Sequence, residues 1–458
     1  MPIRATTSGL SYYLALFDET GRERPESDGS LLSTALRARL TDEAEPKTTD
    51  VFVLSHGWMG DIPAAIAQYD RWMATMAGVK SDVTAAAAVR AGFTPLVVGL
   101  HWPSLPWGDE DASAAMPGLL GGDDHDKEID VGEEVDAYAR RIADTPRARE
   151  ALRTIFDAAV DADDEAILSD DARAAYDVLF AESQLGSGDV AAPPGADQEG
   201  FDAHAIVEEA RLASGAGTYA GSVGGLLGGN LGNAGRDLLL APLRQVSFWK
   251  MKDRARRFGE GGANGLLRDL QAAAPASRFH LMGHSFGCIV VSAAVAGGPG
   301  TLPIVRPVES LFLVQGALSV WAYATDIPYA PGTPGYFHSI LDRGLVRGSI
   351  VTTRSSLDRA VGTFYPRGAW LKKHFVLDDP SEFPKYGAVG TFGLQGFEVN
   401  GDIPIQDATF GYGFQPGNLY NLDASSVIRN GGGFAGAHSD IHHEAVAHVF
   451  WQMVLSAP

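Results

Sequence analysis

Short, apolar, β-branched runs punctuate the chain, each closed by turn or polar residues. Four stand out: Asp50-Val-Phe-Val-Leu-Ser, Pro95-Leu-Val-Val-Gly-Leu, Arg278-Phe-His-Leu-Met-Gly and Ser310-Leu-Phe-Leu-Val-Gln. They are largely apolar on both faces, the pattern of strands covered on both sides in a parallel sheet. Gly348-Ser-Ile-Val-Thr-Thr follows in the same style, and Leu419-Tyr-Asn-Leu-Asp is a fainter sixth. Ser11-Tyr-Tyr-Leu-Ala-Leu-Phe predicts an antiparallel edge strand at the start. Between the strands lie helical patterns over Pro63–Ala77, Val246–Ala274 with a break at Gly259–Gly262, and Phe286–Ala296. The alternation predicts an α/β fold with a mostly parallel central sheet flanked by helices.

The alternation lapses once. Between Trp107 and about Leu240 no sheet strand is visible. Asp123–Glu182 is acidic and Ala-rich with helical periodicity, and Leu185–Gly200, rich in Gly, Pro and Ala, reads as a loop. A structureless stretch of this length is unusual in a compact fold, so the segment reads as a mostly helical insertion. The chain then divides into residues 1–107 as the first part of the core, 108–240 as a helical cap, and 241–458 as the second part of the core. Gly217, Gly221, Gly225 and Gly229 recur every four residues. They predict a smooth stripe for close helix packing, a glycine-rich loop, or a membrane or partner surface.

Composition narrows the function. The chain has 458 residues, 45% hydrophobic and 20% charged, with a formal net charge of -21. No Lys/Arg stripe is present, which argues against nucleic acid and anionic membranes as partners. The single cysteine, Cys288, permits no internal disulfide and fits a reducing compartment. Residues 1–10 lack a basic segment followed by an apolar run, so no signal peptide is expected and a cytoplasmic location is. Residues 212–235 are too rich in Gly, Asn, Ser and Thr to read as a membrane span, so no integral membrane segment is expected. Nothing in the sequence fixes the oligomeric state.

The sharpest chemical signal is Gly283-His284-Ser285-Phe286-Gly287. It follows a strand pattern and opens a small-residue helical one. A serine in such a turn is held in a strained conformation that lifts Oγ above the sheet. Flanking glycines let strand and helix approach closely, and the helix N-terminus favours negative charge nearby. The bland alternative is an ordinary strand-to-helix turn with an incidental serine.

The chain resembles the α/β-hydrolase superfamily, in particular its esterase- and lipase-like members. The resemblance covers residue 50 to the C-terminus without the insertion. It is carried by Val-Leu-Ser-His56-Gly57-Trp58, Gly-His-Ser285-Phe-Gly, Thr-Arg-Ser-Ser-Leu-Asp358 and His438-Ser-Asp-Ile. It implies that His-Gly after the first buried strand begins the oxyanion loop, with backbone N–H donors from Phe286 and Trp58, Met59 being the rival. It also implies that His56 braces this loop, and that His56, Gly57 and His284 lie beside the substrate. The triad order in that superfamily is serine, acid, histidine. Asp358 follows the strand pattern at 348–353 and is the expected acid; Asp378, Asp379 and Asp326 are rivals, and helix capping is the bland alternative. His438 leaves a Gly-rich loop just before a helical pattern that starts with a Ser or Asp N-cap, and is the expected base. His442 and His443 fall in the first turn of that helix, and His442 is the rival base.

His443-Glu444-Ala-Val-Ala-His448 comes close to a zinc-binding helix, but one residue too many separates the histidines, so no metal is expected. The expected activity is ester hydrolysis by a Ser-His-Asp triad through an acyl-enzyme, on a small-molecule or lipid ester and without a cofactor. The alternatives are a lipase acting at a lipid surface and a catalytically silent binding protein on the same fold.

Overall fold

The computed structural model describes residues 3–6, 10–58, 62–104, 130–162, 167–186, 188–198, 200–215, 234–358, 383–397, 399, 401–431 and 436–458. Among the described residues, nine strands form one sheet: β1 (Ile3–Ala5), β2 (Ser11–Leu16), β3 (Asp50–Ser55), β4 (Pro95–His101), β5 (Arg278–His284), β6 (Ser310–Val314), β7 (Ile350–Arg354), β8 (Gly401–Pro404) and β9 (Leu419–Asp423). Their order is β1-β2-β4-β3-β5-β6-β7-β9-β8, and every pairing except β1 with β2 is parallel. The strand expected at Ser11 as an antiparallel edge is therefore corrected. It pairs in parallel with β4, and the three-residue β1 takes the edge outside it.

The central strands alternate between two apolar layers. Val51, Val53, Phe279, Leu281, Leu311 and Leu313 face one, while Phe52, Leu54, Met282, Phe312 and Val314 face the other. Both layers are closed by helices, which is why these strands look apolar throughout. Truncating one such side chain, for example Leu281→Ala, removes contacts on a fully covered face and costs roughly 2–5 kcal/mol.

The second layer is covered by α1 (Ile62–Gly78), α2 (Lys80–Val89) and α3 (Glu444–Ser456), through Trp72, Met73, Ala86, Phe450 and Trp451. The first layer is covered by a helix at Leu32–Thr41, by the long pair Ala241–Phe258 and Asn264–Ala273, and by the elbow helix Gly287–Ala296. The break expected at Gly259–Gly262 is not a break. Gly259–Ala263 forms a π-helical turn that joins the two helices of the long pair. Glycines are needed there: a Cβ on Gly259 would lie 2.6 Å from the Val290 carbonyl oxygen, and one on Gly262 would lie 2.3 Å from that of Gly21.

The insertion is mostly helical where described, with turns and irregular chain over 188–198. Helices run over Val131–Arg141, Pro146–Val160, Asp170–Ser183, Ala203–Gly215 and Ala234–Leu239. The first three start with side-chain caps from Asp130, Thr145 and Ser169, each satisfying helix N–H groups that lack a carbonyl partner. Their apolar faces, including Tyr138, Leu152 and Tyr176, share the core of the first sheet layer rather than building a core of their own. The glycine repeat at 217–229 lies outside the described residues.

Candidate active site

Chain order places the site. From β3 the chain crosses to β4 on one side, then returns through the insertion to β5 on the other. Loops diverge above this reversal, the position where open α/β sheets bind ligands. The loop after β3 and the turn after β5 meet there. An added Cβ on Gly57 would lie 2.7 Å from Ser285 Cβ and 3.3 Å from its Oγ.

Ser285 has φ of 57°, a left-handed conformation that a non-glycine residue holds only under constraint. Its N–H donates to the Val314 carbonyl (3.1 Å), and its own carbonyl accepts from Ala317 and Cys288 (3.1 Å each). The neighbours must be small: a Cβ on Gly283 would meet the Gly287 carbonyl oxygen at 2.3 Å, and one on Gly287 would meet that of Ser55 at 2.3 Å. These contacts are the physical content of the sequence pattern around the serine.

His438 Nε2 lies 2.7 Å from Ser285 Oγ, and His438 Nδ1 lies 2.8 Å from Asp358 Oδ2. Asp358 follows β7 and is 1% exposed. The structure thus brings together the serine, histidine and aspartate singled out from the sequence, in the geometry of nucleophile, base and orienting carboxylate. The rivals lie elsewhere. Asp326 is exposed and accepts from the Gly332 N–H. The ring of His442 packs 5.4 Å from that of Trp72. Asp378, Asp379 and Met59 lie outside the described residues.

His56 is buried, with Nδ1 2.8 Å from the Gly57 carbonyl oxygen and Nε2 facing the Trp102 N–H at 3.4 Å. This fixes Nδ1–H as donor and Nε2 as acceptor. Burial pushes its pKa down to about 4, so the ring is neutral near neutral pH. His56 braces the loop as expected. Both of its ring nitrogens face protein partners. The ring of His284 is held in the same way. Its Nδ1 faces the Gln68 side-chain amide (3.1 Å), and its Nε2 donates to the His438 carbonyl (3.1 Å). Burial, then the nearby His438, holds the His284 imidazole well below its ordinary range. His284 therefore holds the His438 backbone from behind.

Phe286 stands at the N-terminus of the elbow helix, and none of the described residues accepts its backbone N–H. The Trp58 ring lies 5.7 Å from that of Phe286 and 5.5 Å from that of Phe248 in the Ala241–Phe258 helix. An aromatic wall thus flanks the elbow.

Three supporting residues escaped the sequence reading. Tyr69 hydroxyl takes the His56 N–H (2.9 Å) and donates to the Leu100 carbonyl (2.5 Å), in space left by Gly99. Gln68, one residue earlier on the same helix, holds His284. Gln315, at the end of β6, donates to Asp358 Oδ2 at 2.8 Å. A polar residue closing an apolar strand pattern was the one available signal for Gln315.

The final helix starts at Glu444, not at Ser439 or Asp440, so His442 and His443 precede it. The Asp440 carboxylate accepts instead from the Arg429 and Asn430 N–H groups. His443 pairs with Asp440 (2.8 Å) and His448 with Asp82 (2.5 Å), so the two rings serve different partners. Among the described residues, no group of three or more His, Cys, Asp or Glu could hold a metal ion. Among them, too, no helix is long and apolar enough to cross a membrane. The chain matches no protein-family model, no curated protein and no solved structure.

Proposed function

We propose that the protein is a serine hydrolase of the α/β-hydrolase type that cleaves a carboxylic ester. One observation carries the reading: the continuous chain from Ser285 Oγ through His438 to Asp358, at 2.7 and 2.8 Å, built on a serine held at positive φ. In this reading His438 takes the Ser285 proton as Oγ attacks the ester carbonyl. Asp358 holds the Nδ1–H tautomer and stabilises the imidazolium that forms. The Phe286 N–H and a donor from the 57–58 backbone face the oxyanion, and each such donor contributes about 3 kcal/mol. His438 then protonates the leaving alcohol, and water, activated by the same imidazole, releases the acid from the acyl-enzyme.

The 108–240 insertion serves as a cap in this proposal. It joins β4 to β5 at the reversal point, and the helix it leads into presses Phe248 towards the elbow. Trp58 and Phe248 would then border the acyl-binding side. The test is a series of p-nitrophenyl esters of increasing chain length, with Ser285→Ala as control. Turnover that disappears in Ser285→Ala supports the proposal. No turnover of any ester, thioester or amide in the folded protein would favour a silent member of the same fold.

A further inference from the structure

Gln315 is fully buried and adopts φ of 47°, a left-handed conformation that a non-glycine residue holds only under constraint. Gly316 follows it, so the turn after β6 holds a strained glutamine beside a residue that would bear the strain freely. The side chain is fully committed. Its Nε2 donates to Asp358 Oδ2 (2.8 Å) and to the Gly390 carbonyl (3.0 Å). Its Oε1 accepts from the Thr353 hydroxyl (3.0 Å), whose oxygen in turn accepts the Gln315 N–H (3.1 Å). This network fixes the amide's orientation by chemistry. Flipped, Oε1 would face a carboxylate and a carbonyl, two acceptors with no proton between them.

The oxygen that receives the amide is the one that receives His438 Nδ1. We propose that Gln315 is a positioning residue: it pins the Asp358 carboxylate in the rotamer that meets His438 and takes up part of its negative charge. Gly390 closes the arrangement from the other side, since a Cβ there would lie 3.1 Å from Asp358 Oδ2 and 2.9 Å from the Gln315 carbonyl carbon. Among the charged or titratable groups close to the pair, His284 bonds the His438 carbonyl and stays neutral by burial, and Asp440 is turned to Arg429, Asn430 and His443. The assignment rests on the hydrolase reading of Ser285, His438 and Asp358.

The direction of its effect follows from charge. A donor that shares the carboxylate's charge weakens the hold of Asp358 on the imidazolium. Removing it strengthens that hold and moves protonation of the imidazole to higher pH. Gln315→Met keeps the length and removes the donor. The acid limb of its kcat/KM profile is expected to move up by about 0.5–1 pH unit, with kcat lowered about tenfold as the carboxylate loses its fixed rotamer. The His438 titration followed by NMR on histidine-labelled protein is expected to move in parallel, and this readout needs no turnover. A folded Gln315→Met protein with both midpoints unmoved and kcat unchanged overturns the assignment. If Gln315→Met does not fold, Thr353→Val decides: it frees the amide's far end and is expected to give a smaller shift in the same direction, and an unmoved titration there also overturns it. A moved NMR titration in a protein that hydrolyses nothing would sustain Gln315's role and reject the hydrolase reading instead.

Discussion

Gly57→Ala probes the contact between the loop after β3 and Ser285, the proposed oxyanion loop and nucleophile. The new Cβ would lie 2.7 Å from Ser285 Cβ and 3.1 Å from the His284 carbonyl oxygen, inside the distance that real Cβ atoms keep. Neither neighbour can yield easily, because Ser285 is locked by its backbone bonds to Val314 and Ala317. The loop must therefore retreat by about 0.7 Å to reach an ordinary van der Waals contact. A backbone donor that began near 2.9 Å from the oxyanion would then stand near 3.6 Å, beyond useful hydrogen bonding. Losing one donor predicts a 10²–10³-fold fall in kcat, about 3 kcal/mol, with KM little changed. Overpacking should also lower stability by roughly 1–3 kcal/mol. Gly265→Ala is the control: its Cβ would meet nothing within 4 Å, so it should keep full kcat and match or slightly exceed the parent in stability. Steady-state ester hydrolysis and thermal unfolding by circular dichroism measure both effects. A Gly57→Ala protein with kcat within threefold of the parent would refute the reasoning, because it would show that the loop backbone does not face the reacting carbonyl.

Three further outcomes are expected. Asp358→Asn should preserve the fold but favour the wrong imidazole tautomer, lowering turnover by up to about 10⁴-fold; near-normal rates would move the acid to another carboxylate. Cys288 is buried, donates its thiol to the Gly283 carbonyl (3.1 Å), and has its pKa pushed well up by burial, so it should resist thiol reagents in the native protein and react once urea unfolds it. The third concerns His56, whose folded pKa of about 4 lies below its ordinary 6.5. Between these values the unfolded chain binds a proton that the folded one refuses. The contribution is therefore complete above pH 6.5 and declines as pH falls towards 4. From pH 7.5 to 5 it should lose about 2 kcal/mol. In urea unfolding, the non-titrating His56→Asn variant should show a drop smaller by that amount, and an equal drop in both proteins would contradict the assignment.

What was legible in the sequence was what burial on both faces writes there. β3 to β7 read clearly because each strand feeds two apolar layers at once. β8 did not, since Gly401–Pro404 alternates between partial and full exposure, and the three-residue β1 is too short to show a period. The pairing direction of β2 was also hidden: alternation shows which face a strand buries, not which neighbour it takes. Ser285 was legible because its strain demands glycines at fixed offsets. Gln315 carries similar strain with no such signature, so its role emerged only with its partners. The start of the last helix was misplaced because Asp440, a good cap by type, serves the 429–430 backbone instead.

An activated Ser285 should capture a phosphorus electrophile that an ordinary serine ignores. Incubation with a fluorophosphonate, followed by intact-mass measurement and peptide mapping, tests this most directly. One adduct per chain is expected, on Ser285, absent from Ser285→Ala and strongly slowed in a His438→Ala protein that still folds. An adduct on another serine, or none on the folded parent protein, would contradict it.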